Sequence, residues 1–203
     1  RTLHDVRHPN LVSLYELMAD GDTWFFTLEL IDGVDFLSWV RPTSAQLGGA
    51  ATTADLAKTV RSAGPPSVRL DLEKVKSAFR QLAEGVSFLH SRDRVHRDLK
   101  PSNVMVTKEG RVVILDFGLV AELGGPKSLT EEQGKAIVGT VAYMAPEQAA
   151  SGPIGPKCDW YAFGVMLFQA LTGRLPFEGS PVDVMLDKQR RPAPSPSELN
   201  AGV

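Results

Sequence analysis

The stretch VHRDLKPSNVMV, residues 95–106, starts and ends with apolar residues and holds a His, an Arg, an Asp, a Lys and an Asn between them. Apolar ends indicate that the chain enters and leaves the protein interior here. Charged groups are costly to bury unless they have partners or a chemical task. The polar side chains therefore mark this stretch as a candidate site of chemistry.

Phosphoryl transfer is a reaction whose requirements this stretch meets. It needs a group that orients or deprotonates the hydroxyl nucleophile, a cation near the γ-phosphate and oxygen ligands for a metal ion. Asp98 can accept the hydroxyl proton, Lys100 can hold the γ-phosphate, and Asn103 can offer an amide oxygen to Mg²⁺. Asp116 is a second candidate ligand and opens a DFG triplet 13 residues after Asn103. A hairpin across the intervening TKEG, residues 107–110, can bring the two ligands together.

The composition is that of an ordinary globular protein, with 203 residues, 43% apolar and 23% charged. The net charge of −2 argues against a nucleic-acid partner, because nucleic-acid binders carry a basic excess. We find no apolar run of about 18 residues, so we expect no membrane segment in the chain. The single cysteine, Cys158, excludes an internal disulfide and fits a reducing compartment. We therefore expect a cytoplasmic protein in which Cys158 is a packed residue.

Periodicity predicts a mixture of strands and helices. The β-rich runs at 11–17 and 23–30 flank MADGD and predict a hairpin. Apolar residues recur every three or four positions over 72–89 and predict an amphipathic helix of about five turns. NVMV and RVVILDF flank TKEG and predict a second hairpin. The nearly all-apolar stretch 159–173 predicts a buried helix.

Three segments lack such periodicity. Residues 41–66 are rich in Ala, Thr, Ser and Gly and predict a loop or insertion, with a short helix near ADLAKTV. Residues 119–145 hold few apolar runs and predict a long ordered loop. The Pro-rich RRPAPSPSEL, residues 190–199, predicts a further loop.

Four motifs follow one another in order: HRDLKPSN, DFG, VGTVAYMAPEQ (138–148) and DWYAFG (159–164). Together they resemble the catalytic domain of a Ser/Thr protein kinase, closest to the eukaryotic-like kinases of bacteria. The resemblance implies an α+β, protein-kinase-like fold with a partial small-lobe β-sheet. Residues 1–31 would end the small lobe and form the hinge. Residues 32–203 would form a mostly helical large lobe with an insertion-like loop at about 41–66.

The resemblance also implies which residues bind ATP. They are Leu28, Glu29, Ile31, Asp35, Lys100, Ser102, Asn103, Met105 and Asp116, with Asn103 and Asp116 as ligands of Mg²⁺ or, alternatively, Mn²⁺. Leu28 would be the gatekeeper behind the adenine, and the backbone of Glu29 and Ile31 would face the adenine edge. Two assignments stay open. Asp35 either reaches the ribose or caps the next helix, and Met105 packs under the adenine, in the core, or both.

Lys100 and Thr140 favour Ser/Thr over Tyr as the phosphate acceptor. The resemblance implies that the Thr140 hydroxyl bonds to Asp98 and Lys100, and that Asp159 braces the backbone of the loop around Asp98. It gives His96 a packing role.

A phosphorylation switch is expected in the loop that follows DFG. Arg97 can bind a phosphate bidentately through its planar guanidinium group. Ser128 and Thr130 are the hydroxyls in the middle of that loop, although ordinary loop hydroxyls would look the same. Self-association for autophosphorylation is a candidate route to this modification.

Three functions remain open. The intact Asp98, Asn103 and Asp116 favour an ATP-dependent kinase of Ser and Thr residues in proteins. A catalytically silent kinase-like binding module is the main alternative, because the Gly-rich phosphate loop and its partner Lys and Glu are absent. Since these missing parts belong at the ends, we expect the chain to be a fragment that is inactive alone. A small-molecule phosphotransferase would share the catalytic loop but generally lack the GT…APE segment.

Overall fold

The computed structural model describes residues 7–20, 23–42, 70–115, 140–149 and 152–200. Their strands and helices are, in chain order, β1 (Leu14–Asp20), β2 (Thr23–Leu28), β3 (Gly33–Asp35), α1 (Phe36–Val40), α2 (Leu72–Ser91), β4 (Val104–Thr107), β5 (Val112–Ile114), α3 (Pro146–Ala149), α4 (Lys157–Thr172), α5 (Pro181–Arg190) and α6 (Pro196–Leu199). This arrangement is α+β, as predicted. Most of the predicted loops at 41–66 and 119–145 lies outside the described residues, as do Asp116, Ser128 and Thr130.

The first hairpin forms where the β-rich runs predicted it. β1 and β2 are antiparallel, with Leu14 opposite Leu28 and Asp20 opposite Thr23. β1 therefore includes the residues MAD, which the sequence analysis placed in the turn, because their pairing with β2 extends the strand. Beyond β2, Glu29 N donates to Ser13 O at 2.9 Å and continues the pairing.

A second antiparallel sheet holds β3, β4 and β5 in that order. The hairpin predicted around TKEG is confirmed by β4 and β5. The segment before β1 joins β5, since Val12 N donates to Ile114 O at 2.9 Å and Ile114 N donates to Asn10 O at 2.9 Å. Ile114 at the end of β5 is therefore hydrogen-bonded to β4 on one side and to residues 10–12 on the other.

Helix α2 is the predicted amphipathic helix. Its buried residues include Val75, Phe79, Leu82, Val86 and Leu89 from the predicted apolar face. Leu72, from the same face, is 38% exposed because it lies at the first position of the helix. Gly85 lets the helix approach β5 closely, since a Cβ there would lie 2.7 Å from Ile114 Cδ1.

Helix α4 is the predicted buried helix, and it ends at Gly173, whose φ of 77° suits glycine. One of its apolar residues, Trp160, is nevertheless 39% exposed. The loop predicted at 190–199 is wrong in part, because α6 lies within it. Proline is compatible with the first turn of a helix, where its missing N–H has no intrahelical partner. A helical turn at 140–143 likewise replaces the end of the long predicted loop.

The hydrophobic core joins α2 and α4 to the three-stranded sheet. It includes Leu82 of α2, Val104 and Ile114 of the sheet, and Met166 of α4. The loop between α2 and β4, residues 92–103, therefore runs between a rigid helix and a rigid strand. None of the helices in the described part of the chain combines the length and the apolar composition that crossing a bilayer requires.

Candidate active site

Asp159 anchors the loop that carries the candidate chemistry. The side chain is 1% exposed, on the first turn of α4. Its Oδ2 accepts a hydrogen bond from His96 N at 2.8 Å, and its Oδ1 accepts one from Arg97 N at 2.8 Å. The bracing role implied by the sequence is therefore present. His90 Nε2 lies 2.8 Å from Asp159 Oδ2, and Cys158 Sγ donates to Asp159 Oδ1 at 3.6 Å.

Arg97 has a strained backbone conformation, and hydrogen bonds to Asp159 and Gln148 hold it. Its φ of 70° lies in the left-handed region, which costs a non-glycine residue about 1–3 kcal/mol. Asp159 holds the Arg97 N–H, and Gln148 Nε2 donates to Arg97 O at 2.8 Å. The peptide groups on both sides of this strained residue are therefore fixed, and with them the direction of Asp98.

His96 is a buried residue of the loop and has the expected packing role. It is 3% exposed, and its Nε2 lies 2.8 Å from Leu115 O. Its Nδ1 accepts a hydrogen bond from Asp98 N at 3.3 Å. Because Nδ1 accepts, the neutral ring carries its proton on Nε2 and donates it to Leu115 O.

Asp98, Lys100 and Asn103 form one hydrogen-bonded cluster. Asn103 Nδ2 donates to Asp98 O at 2.8 Å and to Asp98 Oδ2 at 3.0 Å. Lys100 Nζ lies 2.8 Å from Asp98 Oδ2 and donates to Thr140 Oγ1 at 3.0 Å. The resemblance implied the bond between Lys100 and Thr140, whereas the direct bond that it implied between Thr140 and Asp98 is not found among the described residues. Asp98 is 45% exposed, and no hydrogen bond from the described residues reaches its Oδ1.

Asn103 has the chemistry of a metal ligand. Because its Nδ2 faces Asp98, its amide oxygen points to the other side, and no hydrogen bond from the described residues reaches that oxygen. Leu115 N donates to Asn103 O at 2.8 Å, so the residue before Asp116 lies beside Asn103. An amide oxygen is a ligand that suits a hard divalent cation.

The residues predicted to face the adenine and the ribose lie on or just after β2, on β3 and on β4. Leu28 ends β2, and Glu29 and Ile31 follow it. Asp35 on β3 lies opposite Met105 on β4. Asp35 Oδ1 accepts from Ser38 N at 3.0 Å, which is the capping role that the sequence left open. Leu28 and Ile31 pack against the core.

Glu29 also forms an ion pair with Arg111, near β5. The two residues are far apart in the sequence, so no local pattern could have indicated this contact.

Cys158 is a buried thiol, as expected. Burial raises its pKa from 9.0 to about 12, and the neighbouring Asp159 carboxylate acts in the same direction. A thiol with so high a pKa is not a nucleophile at neutral pH.

Two residues that support the site were missed by sequence analysis. His90 contacts Asp159 through its Nε2. Gln148 Oε1 accepts from Ala145 N at 2.9 Å while its Nε2 holds Arg97 O at 2.8 Å. Gln148 lies within the motif 138–148, which was its signal in the sequence, whereas His90 lies outside the four motifs.

Comparisons with known proteins agree with this geometry. A family model described as "Protein kinase domain" matches residues 1–197. The chain is 30% identical over 197 residues to serine/threonine-protein kinase PrkC of Bacillus subtilis, which covers 97% of this chain and 26% of PrkC. It is 34% identical over 191 residues to serine/threonine-protein kinase PknD of Protochlamydia amoebophila (87% and 18%). It is 29% identical over 203 residues to serine/threonine-protein kinase PknB of Mycobacterium leprae (98% and 28%).

The chain belongs to the protein kinase domain family. The resemblance drawn from its motifs and the α+β kinase fold are thereby confirmed. Members of this family generally use ATP and a divalent metal ion. The chain spans 18–28% of the length of the three relatives named above.

Proposed function

We propose that the protein containing this chain is an ATP-dependent Ser/Thr kinase that transfers the γ-phosphate of ATP to Ser and Thr hydroxyls of proteins. The observation that carries the proposal is the cluster in which Lys100 bridges Asp98 and Thr140. The kinases PrkC, PknD and PknB, whose names describe this activity, support it. None of these comparisons favours a catalytically silent module.

Each residue of the cluster has a part in the proposed reaction. Asp98 accepts the proton of the acceptor hydroxyl. The hydroxyl oxygen forms a bond to the γ-phosphorus, the bond to the β–γ bridging oxygen breaks, and ADP leaves. Lys100, held between Asp98 and Thr140, neutralises negative charge on the transferred group.

Asn103 and Asp116 would hold the metal ion, for which we propose Mg²⁺ with Mn²⁺ as the alternative. The amide oxygen of Asn103 is oriented for this role by the two bonds that its Nδ2 makes to Asp98. A cation bound there supplies positive charge to the β- and γ-phosphates.

The nucleotide would lie between the hinge and β4. We propose that Leu28 is the gatekeeper, that Glu29 and Ile31 offer backbone groups to the adenine, and that Met105 packs under it. Ser102 would lie near the phosphates. We leave Asp35 out of the nucleotide site, because its Oδ1 caps α1. In this reading residues 1–31 end the small lobe and hinge, and residues 32–203 form the large lobe with an insertion at about 41–66.

The test is phosphate transfer by the full-length protein and its Asp98→Asn variant. Asparagine has the same shape but cannot accept the hydroxyl proton, so we expect the rate to fall about 10²–10⁴-fold. Asp187→Asn is the control, because Asp187 lies on α5 and pairs with Arg191 at 2.6 Å, away from the cluster. An Asp98→Asn variant that kept most of its activity would refute the assignment. A wild-type protein that bound ATP without transferring phosphate would support the silent module instead.

We further propose that the kinase domain is cytoplasmic and is regulated through the loop after DFG. Arg97 would bind a phosphate on Ser128 or Thr130, added by a second copy of the protein. Mass spectrometry of the expressed protein, with Ser128→Ala and Thr130→Ala variants, tests this. Absence of phosphate in the loop and unchanged activity of both variants would contradict it.

A further inference from the structure

Lys188 on α5 reaches the helical turn at 140–143. Its Nζ donates to the carbonyl oxygens of Val141 at 2.7 Å, Ala142 at 2.7 Å and Met144 at 2.8 Å. An ammonium group has three N–H donors, so these three bonds use all of them. The sequence analysis assigned no role to Lys188.

The surroundings of Lys188 are largely shielded from water. Burial lowers the pKa of Lys188 to about 8. Val184, one turn earlier on α5, is buried against Val141 and Phe177. Within the described ranges, no carboxylate pairs with Lys188 Nζ. Carbonyl groups at the end of a helical turn carry partial negative charge, so they are the natural counterpart of a cation held here.

The same turn contacts the catalytic cluster through Thr140. Met144 N donates to Thr140 O at 3.2 Å, so Thr140 and the carbonyls held by Lys188 belong to one turn. Thr140 Oγ1 accepts from Lys100 Nζ at 3.0 Å, and Lys100 Nζ lies 2.8 Å from Asp98 Oδ2. A shift of the turn relative to α5 would therefore move one of the partners of Lys100.

We propose that Lys188 is a positioning residue for the protein substrate. It fixes residues 140–145 against α5, so that this segment presents the acceptor hydroxyl to Asp98. The proposal rests on the kinase activity proposed above and adds a residue that touches neither ATP nor the acceptor hydroxyl. Loss of Lys188 should therefore weaken the use of the protein substrate more than the use of ATP.

The test compares Lys188→Met with Lys188→Arg in the full-length protein. Methionine keeps an apolar stem but removes all three donors, whereas arginine keeps the charge and the donors. With myelin basic protein as the acceptor, we expect Lys188→Met to raise KM for the acceptor by about tenfold or more. KM for ATP, and the rate of ATP hydrolysis without acceptor, should stay within about twofold. Lys188→Arg should restore most of the acceptor KM, and the exposed Arg190→Met on the same helix is the matched control.

The readouts separate a positioning role from a structural one, because KM does not depend on how much of the enzyme is folded. A proportional fall in both activities with unchanged KM values would mean a structural role only and overturn the proposal. Unchanged kinetics of Lys188→Met would overturn it too. If Lys188→Met fails to fold, Lys188→Gln, which keeps two N–H donors, is judged by the same criteria. If the wild-type protein transfers no phosphate, both the proposed function and this inference are overturned. If the wild-type protein is active and the Lys188 variants have unchanged kinetics, only this inference is overturned.

Discussion

Replacing Asp159 by asparagine should destabilise the protein and impair its chemistry at the same time. The Asp159 carboxylate is 1% exposed and accepts from His96 N, Arg97 N and His90, each at 2.8 Å. Asparagine has the same size but only one acceptor oxygen. If the single amide oxygen takes the place of Oδ2, it keeps the bonds from His96 N and His90. The amide NH₂ then takes the place of Oδ1 and faces the N–H of Arg97, so that two donors point at each other.

The magnitude follows from these contacts. A buried donor without a partner costs about 1–3 kcal/mol. The two remaining bonds change from a charged to a neutral acceptor, which removes about 1 kcal/mol each. The sum is about 3–5 kcal/mol, a large part of the 5–15 kcal/mol that stabilises a typical domain. Alanine would leave all the donors without partners and add a cavity, so asparagine is the more informative change.

The assay is urea-induced unfolding followed by tryptophan fluorescence, together with phosphate transfer at a temperature where both proteins are folded. Asp159→Asn should lower the free energy of unfolding by about 3–5 kcal/mol. Activity per folded molecule should also fall, because the strained backbone at Arg97 loses the bond to its N–H. Asp187→Asn, which removes a surface i,i+4 pair with Arg191, should change the free energy of unfolding far less, because solvent screens such pairs. A loss for Asp159→Asn as small as that of the control would refute the reasoning.

Three further changes test separate contacts. Gln148→Ala removes the bonds to Arg97 O and Ala145 N and should lower the free energy of unfolding by about 1–3 kcal/mol in urea titrations; no change would contradict the bridge. Cys158, whose pKa is raised from 9.0 to about 12, should resist a thiol reagent at pH 8 until urea unfolds the protein. The free energy of unfolding should also fall as the pH rises above 9, because only the thiol of the unfolded protein then loses its proton. Gly85→Ala should cost about 1–3 kcal/mol, because its Cβ would lie 2.7 Å from a core side chain, and a neutral result would mean that the core adjusts.

The sequence predicted those parts of the fold that depend on local pattern. The period of three and four over 72–89 is a property of one segment, and α2 follows it. The two hairpins were visible because their turns lie between β-rich runs. The cluster of Asp98, Lys100 and Asn103 was visible because the three residues share one short loop. Where the prediction failed, as in α6, proline was read as a loop residue although it is compatible with the first turn of a helix.

The contacts that hold the cluster could not be read from local pattern. His90 and Asp159 lie 69 residues apart, and Gln148 and Arg97 lie 51 residues apart. Lys188 lies 47 residues from Val141, whose carbonyl it binds. Each of these pairs depends on how α2, α4 and α5 pack, which is a property of the whole domain. Polar residues of these types also occur on any solvated helix face, so their identity alone indicates no partner.

The backbone at Arg97 shows why these distant contacts matter for the proposed chemistry. Glycine would adopt a φ of 70° at little cost, yet the chain has an arginine there and holds it with Asp159 on one side and Gln148 on the other. The strain of about 1–3 kcal/mol is similar to what the two bonds contribute, so the conformation depends on both partners. An arginine at this position also carries a guanidinium group, which glycine lacks. The phosphate-binding role that we propose for Arg97 would use this group, because a planar guanidinium can bind a phosphate bidentately.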